Sequence, residues 1–127
     1  MHALLKGLTM LALAAVTTAA AVPAKTYTSK PFAGAKANTG TVTATVDNGK
    51  ITLKVSDDFQ IPDTPAPSWQ IVDSQGNTYL LNQFKVKGGT NRMITLPNYI
   101  KDVAKVQVWC SYAEVLLGET SFETIVK

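Results

Sequence analysis

Thr41-Val42-Thr43-Ala44-Thr45-Val46-Asp47-Asn48-Gly49-Lys50-Ile51-Thr52-Leu53-Lys54-Val55 consists of two alternating runs joined by Asn-Gly, the strongest short signal for a two-residue hairpin loop. With Asn48 and Gly49 as the loop, Asp47 faces Lys50, Val46 faces Ile51, Ala44 faces Leu53 and Val42 faces Val55. All six apolar side chains then share one face, and the threonines and lysines share the other. A slip of one residue would turn the apolar set to water, so the pattern sets the register as well as the strands. Such a hairpin is only marginally stable alone and demands a second apolar layer.

Material for that layer lies downstream. Val106-Gln107-Val108-Trp109-Cys110 and Val115-Leu116-Leu117-Gly118 flank the polar stretch Ser111 to Glu114, which reads as a strand, a tight reversal and a returning strand. The full pair is expected over Lys105 to Cys110 and Val115 to Phe122. Between the two hairpins, Ser56-Asp57-Asp58 breaks the chain, Phe59 returns to the core, and Pro62, Pro65 and Pro67 impose a stiff extended loop. Trp69 to Val72 and Thr78 to Leu81 form a strand pair around the turn Ser74 to Asn77. Phe84 and Val86 alternate with Lys85 and Lys87 before the Gly88-Gly89 turn, Arg92 to Leu96 is a further strand stopped by Pro97, and Asn98 to Asp102 is a helical turn or a loop. About seven or eight short strands without a helical stripe predict an all-β fold, an antiparallel β-sandwich or a flattened barrel.

Upstream, Met1 to Lys6 is a short basic start, Gly7 to Val16 an apolar run, and Ala19-Ala20-Ala21 a small-residue cleavage signal, so residues 1–21 are expected to be an export signal. The apolar run is too short for a permanent membrane span, and the processed protein is expected outside the cytoplasm, periplasmic or secreted, and not membrane-embedded. Cleavage would leave 106 of the 127 residues, one domain with a modest core. Residues 22–40 show no periodicity and read as a lead-in in which Pro31-Phe32 docks on the β domain of residues 41–127. Eleven basic and nine acidic residues would remain, interspersed, which is no nucleic-acid footprint.

The only histidine, His2, would leave with the signal. Its loss removes catalytic triads, Cys/His dyads, imidazole-bound zinc, blue copper and axial-His haem from consideration, and leaves no other activated nucleophile for a hydrolase. Cys110 and Met93 are the soft ligands that remain, a poor set for anything but Cu(I), so no metal site is expected. Asp57, Asp58, Asp63 and Asp73 occupy turns, where Asp favours backbone hydrogen bonding, and no spacing fits a calcium loop.

Cys110, the single cysteine, is the redox candidate. Alternation puts it on one face with Val106 and Val108, and puts Lys105, Gln107 and Trp109 on the other. A lone thiol in an oxidising compartment is buried and inert, paired between chains, or reactive. A reactive thiol needs a nearby cation, which sequence neighbours do not supply; Arg92 and Lys36 are the candidates for folding to bring near it, and Glu114 would oppose a thiolate. Trp69 and Trp109 are candidates for an electron relay or for sugar stacking, or else core and rim residues of a small sandwich.

Gly40-Thr41-Val42, Phe59, Pro65-Ala66-Pro67-Ser68-Trp69, Leu96-Pro97, Val106 to Cys110 and Val115 to Glu119 together resemble the DM-thirteen domain, a small all-β extracellular module usually labelled an electron-transfer domain. The resemblance runs from about Gly34 to Phe122. It implies a redox role for Cys110, by thiol chemistry or by Cys ligation of haem on a separate redox partner, with no cofactor bound directly by this chain. The family role is itself inferred from domains found beside haem-binding DOMON modules. Many members carry His where this chain has Lys36, and an acidic residue where it has Ser68. The alternative is a non-catalytic extracellular binding or structural module with Cys110 in the core.

Overall fold

The computed structural model describes residues 22–127; the export signal expected over residues 1–21, with His2, lies outside the described residues. Ten strands follow in order: β1 Lys25–Thr28, β2 Val42–Asp47, β3 Lys50–Val55, β4 Pro67–Val72, β5 Thr78–Gln83, β6 Lys85–Val86, β7 Gly89–Thr90, β8 Met93–Thr95, β9 Val103–Cys110 and β10 Val115–Val126. They form two four-stranded antiparallel sheets, ordered β1-β2-β3-β8 and β10-β9-β4-β5, and a small β6-β7 hairpin. The two sheets face each other across one core, so the fold is a β-sandwich and the closed barrel is excluded.

The β2-β3 register is the one the alternation dictates, with Val42 opposite Val55, Ala44 opposite Leu53, Val46 opposite Ile51 and Asp47 opposite Lys50. Asn48 and Gly49 have φ of 53° and 76°, the paired positive values that a tight hairpin loop needs and that Asn and Gly adopt at least cost. Val42, Ala44, Leu53 and Val55 are fully buried, and they meet Trp69, Ile71, Val106 and Val108 of the other sheet.

Residues 22–40 do more than lead in. β1 pairs over its whole length with Thr43 to Val46 of β2, Phe32 and Ala37 are buried, and the following loop is clamped to β10 by the N–H groups of Ala33, Lys36 and Ala37, which donate to Glu119 and Leu117 carbonyls. No periodicity marked β1 because it is an edge strand with mostly exposed side chains, which leaves alternation nothing to record. Gly34 and Gly118 allow the loop to lie directly on β10: a Cβ on either would overlap backbone atoms of the other segment.

An aromatic row crosses the core. Phe32, Phe59, Phe84 and Trp69 follow one another at centroid distances of 5.0, 5.3 and 4.6 Å, and the Trp69 and Phe84 planes lie 22° apart. The Trp69 indole N–H donates to the Asn91 carbonyl at 2.9 Å, which satisfies its one polar atom inside the core. Phe84 is buried while Val86, two residues on, is exposed, because the chain leaves the sheet to make the β6-β7 hairpin.

Candidate functional site

Cys110 ends β9, and three segments converge on it. Pro67 stands opposite it on β4 and Val115 opposite it on β10, with the four-residue turn 111–114 closing over the strand end. Proline is tolerated here because it opens its strand. The turn is tied on both sides: Glu114 N–H donates to the Cys110 carbonyl at 2.7 Å, Ser111 N–H to the Ala66 carbonyl at 3.0 Å, and Ser68 Oγ–H to that carbonyl at 3.1 Å. Glu114 adopts φ of 58°, a conformation that favours glycine, so the turn holds a non-glycine residue in left-handed space. Its side chain is exposed.

The thiol itself is enclosed. Cys110 is 1% exposed, and Val106 and Val108 on the same face are buried completely. The Ala113 N–H donates to Sγ at 3.5 Å. That amide is the chief reason the thiol lies below its ordinary pKa; burial acts in the opposite direction, and the Ala66 and Tyr112 amides and the Thr64 hydroxyl reinforce the lowering. Thr64 Oγ1 is buried without a hydrogen-bond partner. The result is a small nest of neutral donors around a buried sulfur, with no cation among the groups that lower its pKa.

The other candidates sit elsewhere. Arg92 Nη2 donates to the carbonyls of Ser56 at 2.7 Å and Phe59 at 3.0 Å, and its guanidinium lies 5.8 Å from the Phe59 ring centre, so it pins the 56–59 turn to the core. Lys36 is exposed on the loop that covers β10, and its backbone N–H is bonded to the Leu117 carbonyl. Trp69 is buried opposite Val108. Trp109 points to the opposite face from Cys110, half-buried between Ser68 and Leu116. Folding therefore gathers Thr64, Ala66, Tyr112 and Ala113 around Cys110, and commits Arg92 and Trp69 to packing.

Thr64 and Ala66 carried no signal in the sequence. They reach the sulfur only because β4 pairs with β9 in this register, and a long-range pairing leaves no local trace. Asp73 keeps the turn role expected of it, accepting from the Gln75 and Asn77 N–H groups at 3.0 and 2.8 Å. Among the described residues no cluster of three or more His, Cys, Asp or Glu side chains has a metal-holding arrangement. Comparison with known proteins leaves the site to be read from its geometry: no family model, no curated protein and no solved structure matches the chain.

Proposed function

We propose that this protein is an exported, non-catalytic β-sandwich module of the DM-thirteen type, a binding or structural domain in which Cys110 completes the core. The observation that carries this reading is the enclosure of Sγ: the residue is 1% exposed, on the same face as buried valines, beneath a turn fastened at Cys110, Ala66 and Ser68. Free cysteine commonly fills such positions as a small apolar side chain.

A second reading is favoured by one specific observation, the convergence of amides on the sulfur. Donors that stabilise a thiolate favour its attack on a partner's disulfide, which forms a mixed disulfide and releases the partner's thiolate, so Cys110 would act in thiol–disulfide exchange whenever the 111–114 turn opened. Ligation of haem on a partner fits poorly, because iron could not approach a sulfur covered by Thr64, Ala66 and the turn.

Alkylation of the folded protein separates the two. If access requires global unfolding, with the usual 5 kcal/mol or more, iodoacetamide should label Cys110 at least about a thousandfold more slowly than in denaturant. Labelling within about tenfold of the unfolded rate, with a midpoint below the ordinary thiol value, would overturn the core reading in favour of the redox one.

A further inference from the structure

The sheet β10-β9-β4-β5 has a second feature at the end farthest from Cys110. β4 runs from Pro67, opposite Cys110, to Val72, opposite Lys105, so the turn after Val72 and the loop before Val103 meet at the other extremity. There they enclose an open cleft of about 250 Å³ lined by Tyr79, Tyr99, Gln75, Lys101 and Asp102, with the 73–77 turn as its floor. That volume lies just below the roughly 300–1,000 Å³ of pockets that take drug-sized molecules, which suits a single small ring.

Two kinds of group line it, those already satisfied and those left free. Asp73 accepts four hydrogen bonds, from Gln75 N–H, Asn77 N–H, Asn77 Nδ2 and the Tyr79 hydroxyl, the last at 2.9 Å. Its two oxygens are then saturated, so Asp73 is scaffold, and it fixes the Tyr79 ring. Tyr99 meets that ring at 5.9 Å and 43° yet remains 64% exposed, a large flat apolar surface beside it. Among the described residues Asp102 accepts only from Ser74, N–H at 2.8 Å and Oγ–H at 2.7 Å, which leaves about half its acceptor capacity. Lys101 and the Gln75 side chain make no ion pair or hydrogen bond among the described residues.

The cleft thus presents an aromatic face beside an unsaturated carboxylate, an ammonium and an amide. An anion would be opposed by Asp73 and Asp102; with Asp73 already saturated, the groups left free are one carboxylate and one ammonium, which sum to no net charge. A neutral ring with an apolar C–H face and an edge of hydroxyls, each able to donate and to accept, complements all of it. We propose that this cleft binds a neutral saccharide, one pyranose ring stacked on Tyr99 with its hydroxyls shared between Asp102 and Lys101.

The test is a titration of the full chain with the methyl glycosides of glucose, galactose, mannose and N-acetylglucosamine, followed by backbone amide and tyrosine ring NMR shifts. At least one glycoside should give saturable millimolar shifts confined to residues 73–79 and 99–102. Tyr99→Ala should weaken that binding about tenfold, while Tyr99→Phe keeps it within about threefold, because stacking needs the ring and not its hydroxyl. Unchanged amide shifts elsewhere in the sandwich would show that both variants fold. The proposal is overturned if no glycoside shifts the cleft, if Tyr99→Ala binds like the parent, or if choline or phosphate shifts the cleft and the glycosides do not. Such a failure leaves the reading of Cys110 untouched, since the thiol lies at the opposite end of the sheet and is tested by alkylation.

Discussion

Truncating Cys110 to alanine tests the core reading by stability. The substitution removes one sulfur atom from a site that is 1% exposed, while the surrounding Val106, Val108 and Pro67 are held by strand pairing and cannot follow it inward. Loss of an apolar group slightly larger than a methylene costs about 0.8–1 kcal/mol in transfer. A residual space of roughly 20–30 Å³ adds about 0.5–0.7 kcal/mol at some 24 cal/mol per Å³. Cys110→Ala should therefore destabilise by about 1.5 kcal/mol, a fall in Tm of roughly 5–10 °C for a domain of this size. Cys110→Ser should do no better, because its hydroxyl brings a proton that the valine face cannot accept, a penalty of roughly 1–3 kcal/mol. Urea and thermal melts of the three proteins measure this directly. The gap between parent and Cys110→Ala should also depend on pH. The folded thiol titrates below its ordinary value, chiefly through the Ala113 amide, so between the folded value and about 8.5 the unfolded chain binds more protons than the folded one. The thiolate contribution is then fully present above about 8.5 and is lost as pH falls through the folded value. The gap should widen as pH is raised toward 9. Both variants melting within about 0.5 kcal/mol of the parent would refute the packing argument, and a gap that narrows with rising pH would refute the donor nest.

Glycines give a second contrast: Gly118→Ala drives a Cβ into Ala37 and should cost about 3 kcal/mol or more by prising the 33–37 loop off β10, whereas Gly49→Ala meets nothing within 4 Å and pays only for its φ of 76°, roughly 1 kcal/mol. Equal urea midpoints for the two would remove the case for close docking of that loop. Arg92→Met should destabilise by roughly 1–3 kcal/mol through the orphaned Phe59 carbonyl, the Ser56 carbonyl keeping the Phe59 N–H, and Arg92→Lys should recover less than half of it, since an ammonium lacks the planar group that lies against the Phe59 ring. If Arg92→Met instead shifted the pH midpoint of Cys110 alkylation and left the melts alone, Arg92 would be a thiolate partner and its assignment to packing would be wrong.

Where burial is one-sided and turns are local, the chain spells out its own structure. The β2-β3 hairpin was legible to the register because Asn48-Gly49 fixes the loop and six apolar residues fix the face. The β9-β10 hairpin is legible as two strands about the 111–114 turn, with the inward direction of Cys110 among Val106 and Val108, but not in its register, which shifts at Leu116/Gly118, nor in its full extent to Val103 and Val126. β1 was not, because an edge strand with exposed side chains owes its existence to the backbone of β2 and not to a pattern of its own. The reversal between β6 and β7 is legible from Gly88-Gly89, but alternation turns Phe84 and Val86 to the same face, whereas the fold sends only Phe84 inward. For these two reasons the described residues form ten strands where the pattern predicts seven or eight.

The sites divide along the same line. From the residues alone came an all-β architecture, the isolation of a single thiol, its strand-end position and its inward face, all consequences of period-two alternation and of turn chemistry within a few residues. Only the tertiary structure decided what surrounds that thiol. The pairing of β4 with β9 joins segments some forty residues apart and so brings Thr64 and Ala66 to a sulfur whose Tyr112 and Ala113 amides come from its own turn, while Arg92, just before β8 in the facing sheet, turns to two carbonyls. The meeting of Tyr79 with Tyr99 and Asp102 has the same origin. Alternation reports which face a side chain takes, and turn residues report where the chain reverses; neither records which distant strand becomes the neighbour, since that is set by the packing of whole sheets.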